Sequence, residues 1–205
     1  MDLIKTIKTA YNSIYVYKEN NKLFVFKPSK SIEKEILANK LAKILGIKTV
    51  ETEPFEIDGM KGIKMDFKTK EKILTYYKNN LNKYQIKELK RIIFFDMWIG
   101  NKDRHTANIF INRHLICFDH ENIFNEGKAR RFIKLDLGRR LRKDFVDIIE
   151  KVIGKKLSAK QVLMKLGFNE NDFPKIDKKA VEMVVKDRKI LDFLCSRTDF
   201  NKLEF

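Results

Sequence analysis

The sequence predicts an α+β chain of two lobes: a small, strand-rich N-terminal lobe over residues 1–67 and a mainly helical C-terminal lobe over residues 68–205. Three observations lead there. Aromatic and β-branched runs broken by polar turns crowd the first third. Apolar residues at helical spacing dominate the remainder. No Gly/Ser linker separates the two parts, so they are expected to form one domain.

The elements follow in order. Residues 14–27, IYVYKENNKLFVFK, read as a hairpin around Glu19-Asn20-Asn21. Pro28 ends the second strand and Ser31 is placed to cap a helix. In SIEKEILANKLAKILGI the apolar stripe is Ile32, Ile36, Leu37, Leu41, Ile44 and Leu45, with Gly46 as the stop. KTVETEPFEI and GIKMDF then predict two strands around Asp58-Gly59, so the N-terminal order is β-β-α-β-β. TKEKILTYYKNNL predicts a short helix, and QIKELKRIIFFDMWIG a longer one ending at Gly100. Two short strands, IFIN and LICF, flank a tight turn at Arg113-His114. Helices are expected near 139–153, 158–167 and 177–195, the second opened by a Ser158–Gln161 capping box.

Composition narrows the class. With 43% hydrophobic and 11% aromatic residues the chain can bury a core despite 35% charge. No apolar run approaches the ~20 residues of a membrane span, and the lysine-studded N-terminus does not read as a secretory signal. A soluble cytoplasmic protein is expected. Cys117 and Cys195 stand alone in apolar runs and read as buried, reduced thiols. His105, His114 and His120 lack zinc-ligand spacing. The net charge of +16 favours anionic partners, most of all at residues 128–143. There Lys128, Arg130, Arg131, Lys134, Arg139, Arg140, Arg142 and Lys143 face one acid, Asp136.

One constellation carries chemistry. Transfer of the γ-phosphoryl of ATP needs a carboxylate near the acceptor hydroxyl, oxygen ligands for Mg²⁺, a lysine on the phosphates and an acid to hold that lysine. Asp103 and Asn108 have the D-x-x-x-x-N spacing of a kinase catalytic loop, and Asp119 follows across the predicted hairpin, where a metal aspartate belongs. Lys27 ends the second strand and Glu35 lies in the first turns of the next helix. Ser13 and Met65 are assigned to the nucleotide site with them. Arg104 and His105 read as residues that hold the loop, and Trp98 with its aromatic neighbours as core.

Asp96, Gly100-Asn101, DRHTAN and Phe118-Asp119-His120 resemble the catalytic region of HipA-like kinases and of the phosphoinositide kinase group. FKPS, followed by S-x-x-x-E-I-L-A-x-x-L-A-x-x-L-G-I, resembles the lysine strand and helix of compact HipA-like proteins. The resemblance covers roughly residues 23–124. It implies a two-lobed protein-kinase-like fold with ATP between the lobes. Lys27 would meet the phosphates, Glu35 would position it, Asp103 would be the base, and Asn108 and Asp119 would bind Mg²⁺.

It further implies a serine or threonine of a protein as acceptor, self-phosphorylation with Ser13 as candidate, and an antitoxin-type partner. Two departures stand out. The first 45 residues contain no glycine, leaving TAYNSIY to serve as phosphate loop, and the metal triplet is Asp-His-Glu. The alternatives are a phosphoinositide-like lipid kinase, a basic nucleic-acid-binding protein and a pseudokinase scaffold. Against the nucleic-acid alternative, the sequence holds no zinc finger, KH loop or RNP-type aromatic motif.

Overall fold

The structure is a computed structural model that describes residues 1–8, 13–67 and 71–205. Its N-terminal part is a five-stranded antiparallel sheet of order β1-β2-β3-β5-β4. The strands are β1 (Asp2–Lys8), β2 (Ser13–Glu19), β3 (Lys22–Pro28), β4 (Thr52–Ile57) and β5 (Met60–Asp66), with helix α1 (Ile32–Ile44) between β3 and β4. Strand β1 is an addition to the expected order. It pairs with β2 as an exposed edge, and its lack of a buried face explains why no pattern announced it.

Both hairpin turns are two-residue turns with positive φ at each centre, Asn20-Asn21 and Asp58-Gly59. Residues that tolerate the left-handed region are required there, because this turn matches the twist of the flanking strands. Alternation along the strands then separates two faces. Phe24 and Phe26 on β3 pair with Tyr17 and Tyr15 on β2, and with Phe55 they form a compact aromatic cluster. Val25 and Lys27 point to the opposite face.

Helix α1 buries a different stripe from the one its hydrophobic residues suggest. Its buried residues are Glu35, Ala38, Asn39, Leu41 and Ala42, whereas Ile36, Leu37 and Ile44 are only partly covered. The small alanines allow close packing, and Asn39 earns its place by donating to the Val50 carbonyl and the Thr52 hydroxyl. Ser31 precedes the helix without capping it; its own N–H is held by the Ser29 hydroxyl. Ala38, Leu41 and Ala42 belong to the large core shared with the helical part.

That core is built on α2 (Lys83–Ile99), whose C-terminal half from Ile92 onward is fully buried. Asn82 and Gln85 form a capping box at its start, and Gly100 ends it in the left-handed conformation. A side chain at Gly100 would strike the Asn125 backbone at 2.4 Å, so glycine lets the following loops close against the helix end. Trp98 is buried as expected, and its indole N–H bonds the Leu194 carbonyl.

Three expected helices are corrected. Residues 71–77 form a two-residue strand, β6 (Lys72–Ile73), and the short 3-10 turn Leu74–Tyr76. Residues 69 and 70 of that prediction lie outside the described ones. Strand β6 completes a three-stranded sheet with β7 (Ile109–Ile111) and β8 (Leu115–Cys117), so pairing with a free strand edge wins over helical spacing. The span 139–153 is two helices, α3 (Leu135–Leu141) and α4 (Phe145–Val152), because Phe145 folds back onto Gly138. After α5 (Ala159–Lys165), opened by the Ser158–Gln161 box, 177–195 also divides, into α6 (Lys178–Val184) and α7 (Arg188–Ser196). Asp187 accepts from two N–H groups and starts α7 afresh.

Cys117 is buried, whereas Cys195 is half-exposed on α7; both thiols are free. Among the described residues no helix is long and apolar enough to cross a membrane.

Candidate active site

Lys27 reaches from β3 toward three carboxylates. Its Nζ lies 2.7 Å from Asp119 Oδ1, 3.1 Å from Glu121 Oε2 and 3.7 Å from Glu35 Oε1. The lysine is buried, and burial alone would drive its ammonium toward the neutral form. The acids, Asp119 foremost, more than reverse this and raise its affinity for the proton. Strand register aims it: Lys27 pairs with Ile63, beside Gly62, where any side chain would collide with the Lys27 carbonyl.

Glu35 is almost wholly buried on α1 and does two jobs. Oε1 faces Lys27, and Oε2 accepts the backbone N–H of His120 at 2.7 Å. Burial opposes its ionisation, but His120 and Lys27 outweigh that and hold its carboxyl below the usual range. The His120 ring is buried between Glu35 and the edge of Phe95. Burial and Arg104 oppose its protonation; bonds to Cys117 and Glu35 prevail and push it up to about 9.

The two loops that meet here are fastened by one guanidinium. Arg104 is fully buried and pairs with Asp96 of α2, Nε to Oδ2 at 3.1 Å. Its Nη1 donates to the Asn108 carbonyl at 3.1 Å and to the Phe118 carbonyl. Asp96 also accepts from the Asn101 side chain at 2.9 Å. A planar fork with several fixed donors suits such a junction, and a lysine could not replace it. Thr106 adds a further tie, giving both its N–H and hydroxyl to Asp136 of α3, each at 2.7 Å.

Asp103 is exposed on the loop held by this clamp. Its N–H bonds Asn101 Oδ1 at 3.1 Å, and its Oδ2 accepts from Asn122 at 3.0 Å. Asn108 is buried and donates from its side chain to the Asp103 carbonyl at 3.2 Å. Asp119 adopts a left-handed φ of 63° two residues past the end of β8, which turns the chain sharply beside Lys27.

The structure thus brings Lys27, Glu35 and Asp119 into contact, and joins Asp103 to Asn108 through backbone and to the Asp119 segment through Asn122. Met65 shares the sheet face of Lys27, opposite Val25. Ser13 shares the face of Tyr15 and Tyr17, and residues 9–12 of the expected phosphate loop lie outside the described residues. Glu121 went unassigned from sequence. Its signal was only the acidic third position of the Asp-His-Glu triplet.

Glu35, Asp119 and Glu121 each bring a carboxylate oxygen within 4.8 Å of the others. Glu35 Oε1 is buried and makes no hydrogen bond. An all-oxygen, anionic donor set fits a hard divalent cation such as Mg²⁺. Beside the trio, a cavity of about 850 Å³ opens between the β3–α1 turn, the β4–β5 turn and Glu121-Asn122.

Residues 6–167 match the family model of the phosphatidylinositol 3- and 4-kinases. The chain belongs to that family. The crystal structure of the Helicobacter pylori proinflammatory kinase CtkA superposes with a TM-score of 0.51 at 14% identity, over 92% of this chain and 90% of that one. The kinase-like α+β fold is therefore shared with CtkA. HipA in the toxin–antitoxin complex of Shewanella oneidensis MR-1 HipA, HipB and operator DNA aligns with a TM-score of 0.41 at 10% identity, over 95% of this chain and 60% of that one. No curated protein sequence matches.

Proposed function

We propose that this phosphatidylinositol 3- and 4-kinase family member is an ATP- and Mg²⁺-dependent kinase acting on a serine or threonine hydroxyl of a protein. The observation that carries the reading is the convergence of Lys27 with Glu35 and Asp119, from strand, helix and loop, beside a clamped Asp103–Asn108 loop.

In this reading Lys27 neutralises phosphate oxygens of ATP, and Glu35 keeps its ammonium from swinging away. Asp119, with Glu121 and Asn108 as further oxygen donors, would hold Mg²⁺, which supplies charge neutralisation on the phosphates when bound. Met65 would lie along the nucleotide from the sheet above. Asp103 accepts the proton of the acceptor hydroxyl as that oxygen bonds to the γ-phosphorus, and the bond to the bridging oxygen of ADP breaks. Ser13, next to the β1–β2 connection, is the candidate self-acceptor.

A lipid acceptor is the second reading, favoured by the family itself and by the basic segment beside Asp103. Incubation with Mg²⁺ and γ-labelled ATP, beside Asp103→Ala and Asp119→Ala, tests both. Label on protein, lost in both variants, supports the proposal. Label only on phosphoinositide in vesicles selects the second reading. No label on protein or lipid, together with no nucleotide binding, removes both.

A further inference from the structure

Structure sorts the basic run 128–143 into two groups. Lys128 is paired with Glu204, Arg142 with Asp144, and Arg140 donates to the Leu74 carbonyl, so these three serve the fold. Arg130, Arg131 and Lys134 do not. Together with Lys102 they line a recess of about 530 Å³ whose remaining polar wall is Asp103. None of these four side chains has a carboxylate within ion-pair distance among the described residues. Asp136, the single acid of the run, is turned away and spent on Thr106.

The platform is anchored to the fold. Arg130 and Arg131 sit on the 3-10 turn Ala129–Phe132, pinned by the Ala129 N–H to the Glu204 carbonyl and by buried Phe132, over which Arg197 lies. Four cations without a close ion-pair partner among the described residues, held around a recess with one carboxylate, create a positive potential that a bound anion relieves.

We infer that this recess is an acceptor subsite that takes an acidic or phosphorylated side chain of a protein substrate, close in sequence to the hydroxyl presented to Asp103. The inference rests on the reading of Asp103 as the base and deepens it. A peptide fits best for two reasons. The cations line a shallow, open recess of about 530 Å³ beside the base, room for a short stretch of peptide. Leu135, half exposed at the same rim, offers an apolar ledge for a neighbouring residue of a peptide strand.

Peptide binding separates this subsite from catalysis. Fluorescent peptides would carry one serine flanked within two residues by glutamate, phosphoserine, alanine or lysine, and anisotropy would be read with the full chain. Expected is binding of the glutamate and phosphoserine peptides at least about tenfold tighter than alanine, and weakest binding for lysine. Arg131→Glu and Lys134→Glu should each erase that order, whereas Arg139→Glu, the same charge change on the exposed side of α3, should keep it. Equal affinity for all four peptides overturns the inference, as does an order that survives both reversals. So does tight binding to phosphoinositide vesicles without peptide preference. Transfer assays and nucleotide binding report on the kinase reading separately: peptide binding in the expected order with no transfer to protein or lipid and no nucleotide binding leaves the subsite and removes the kinase, and transfer without acidic preference does the opposite.

Discussion

The Nζ of Lys27 lies 2.7 Å from Oδ1 of Asp119, although 92 positions separate the two residues in the chain. One contact joins the sheet to the loop after β8, and Glu35 on α1 closes the triangle, its Oε1 3.7 Å from the Lys27 ammonium and its Oε2 accepting the His120 backbone N–H. Removing the ammonium leaves the buried Glu35 charge balanced by His120 without Lys27. Lys27→Met should abolish ATP turnover and lower stability by about 2 kcal/mol. That figure is below the roughly 3–5 kcal/mol of a fully buried pair, because Asp119 and Glu121 are about 30% exposed. Urea denaturation beside a turnover assay checks both halves.

Arg104 and Asp96 form the one fully buried ion pair among the described residues whose guanidinium also holds two loop carbonyls. Breaking it singly, as Arg104→Met or Asp96→Leu, should cost roughly 3–5 kcal/mol, since the partner charge stays behind in the core. The double substitution should recover part of the stability and none of the activity, because Asn108 and Phe118 lose their donor. Recovery of activity in the double variant would contradict the clamp.

Glu35 sets an acid-side pH dependence. Its carboxyl is held below its ordinary value of 4.5, so the folded state binds the proton less readily than the unfolded one. The associated stability is fully present above that value and is lost as pH falls through the depressed pKa. Melting temperature should therefore drop more steeply on acidification below about pH 4.5 in the wild type than in Glu35→Gln. Parallel curves would show that His120 and Lys27 do not hold the charge.

Asn122 is expected to position Asp103, through the 3.0 Å bond between its side chain and Oδ2. Asn122→Ala should lower kcat about tenfold with little change in KM for ATP, and Asp103→Ala should lower it by about 10²–10⁴. A KM effect in place of the kcat effect would place Asn122 at the nucleotide and not at the base.

Gly100 is predicted to accept no substitution quietly. Its φ is +64°, and an added Cβ would sit 2.4 Å from the Asn125 carbonyl oxygen. Gly100→Ala should destabilise by about 2 kcal/mol or more and loosen the loop that carries Asp103, read as a lower midpoint in urea and faster proteolysis there.

Much of the candidate site was legible because the proposed chemistry calls for particular residue types at short range. The D-x-x-x-x-N spacing, the lysine at a strand end and the acid in the next helix are local patterns, and both hairpin turns were announced by residues that tolerate positive φ. The misses were non-local. Strand β1 buries no face of its own, and β6 exists because β7 offers an edge. The buried side of α1 turned toward Glu35 and Asn39, since groups outside the helix engage Glu35 Oε2 and the Asn39 amide nitrogen.

The sequence by itself determined the class of fold, the order of most elements and the identity of the residues with chemical capacity, since those follow from periodicity, turn chemistry and side-chain type. Only the tertiary structure decided which of them meet. It put Glu121 beside Lys27, made Arg104 the joint between two loops, and divided the basic run into cations that serve the fold and cations that face Asp103. Pairing across such separations depends on how the sheet, α1 and the loops pack together. An ion pair that is weak in water becomes decisive only when that packing excludes the water around it.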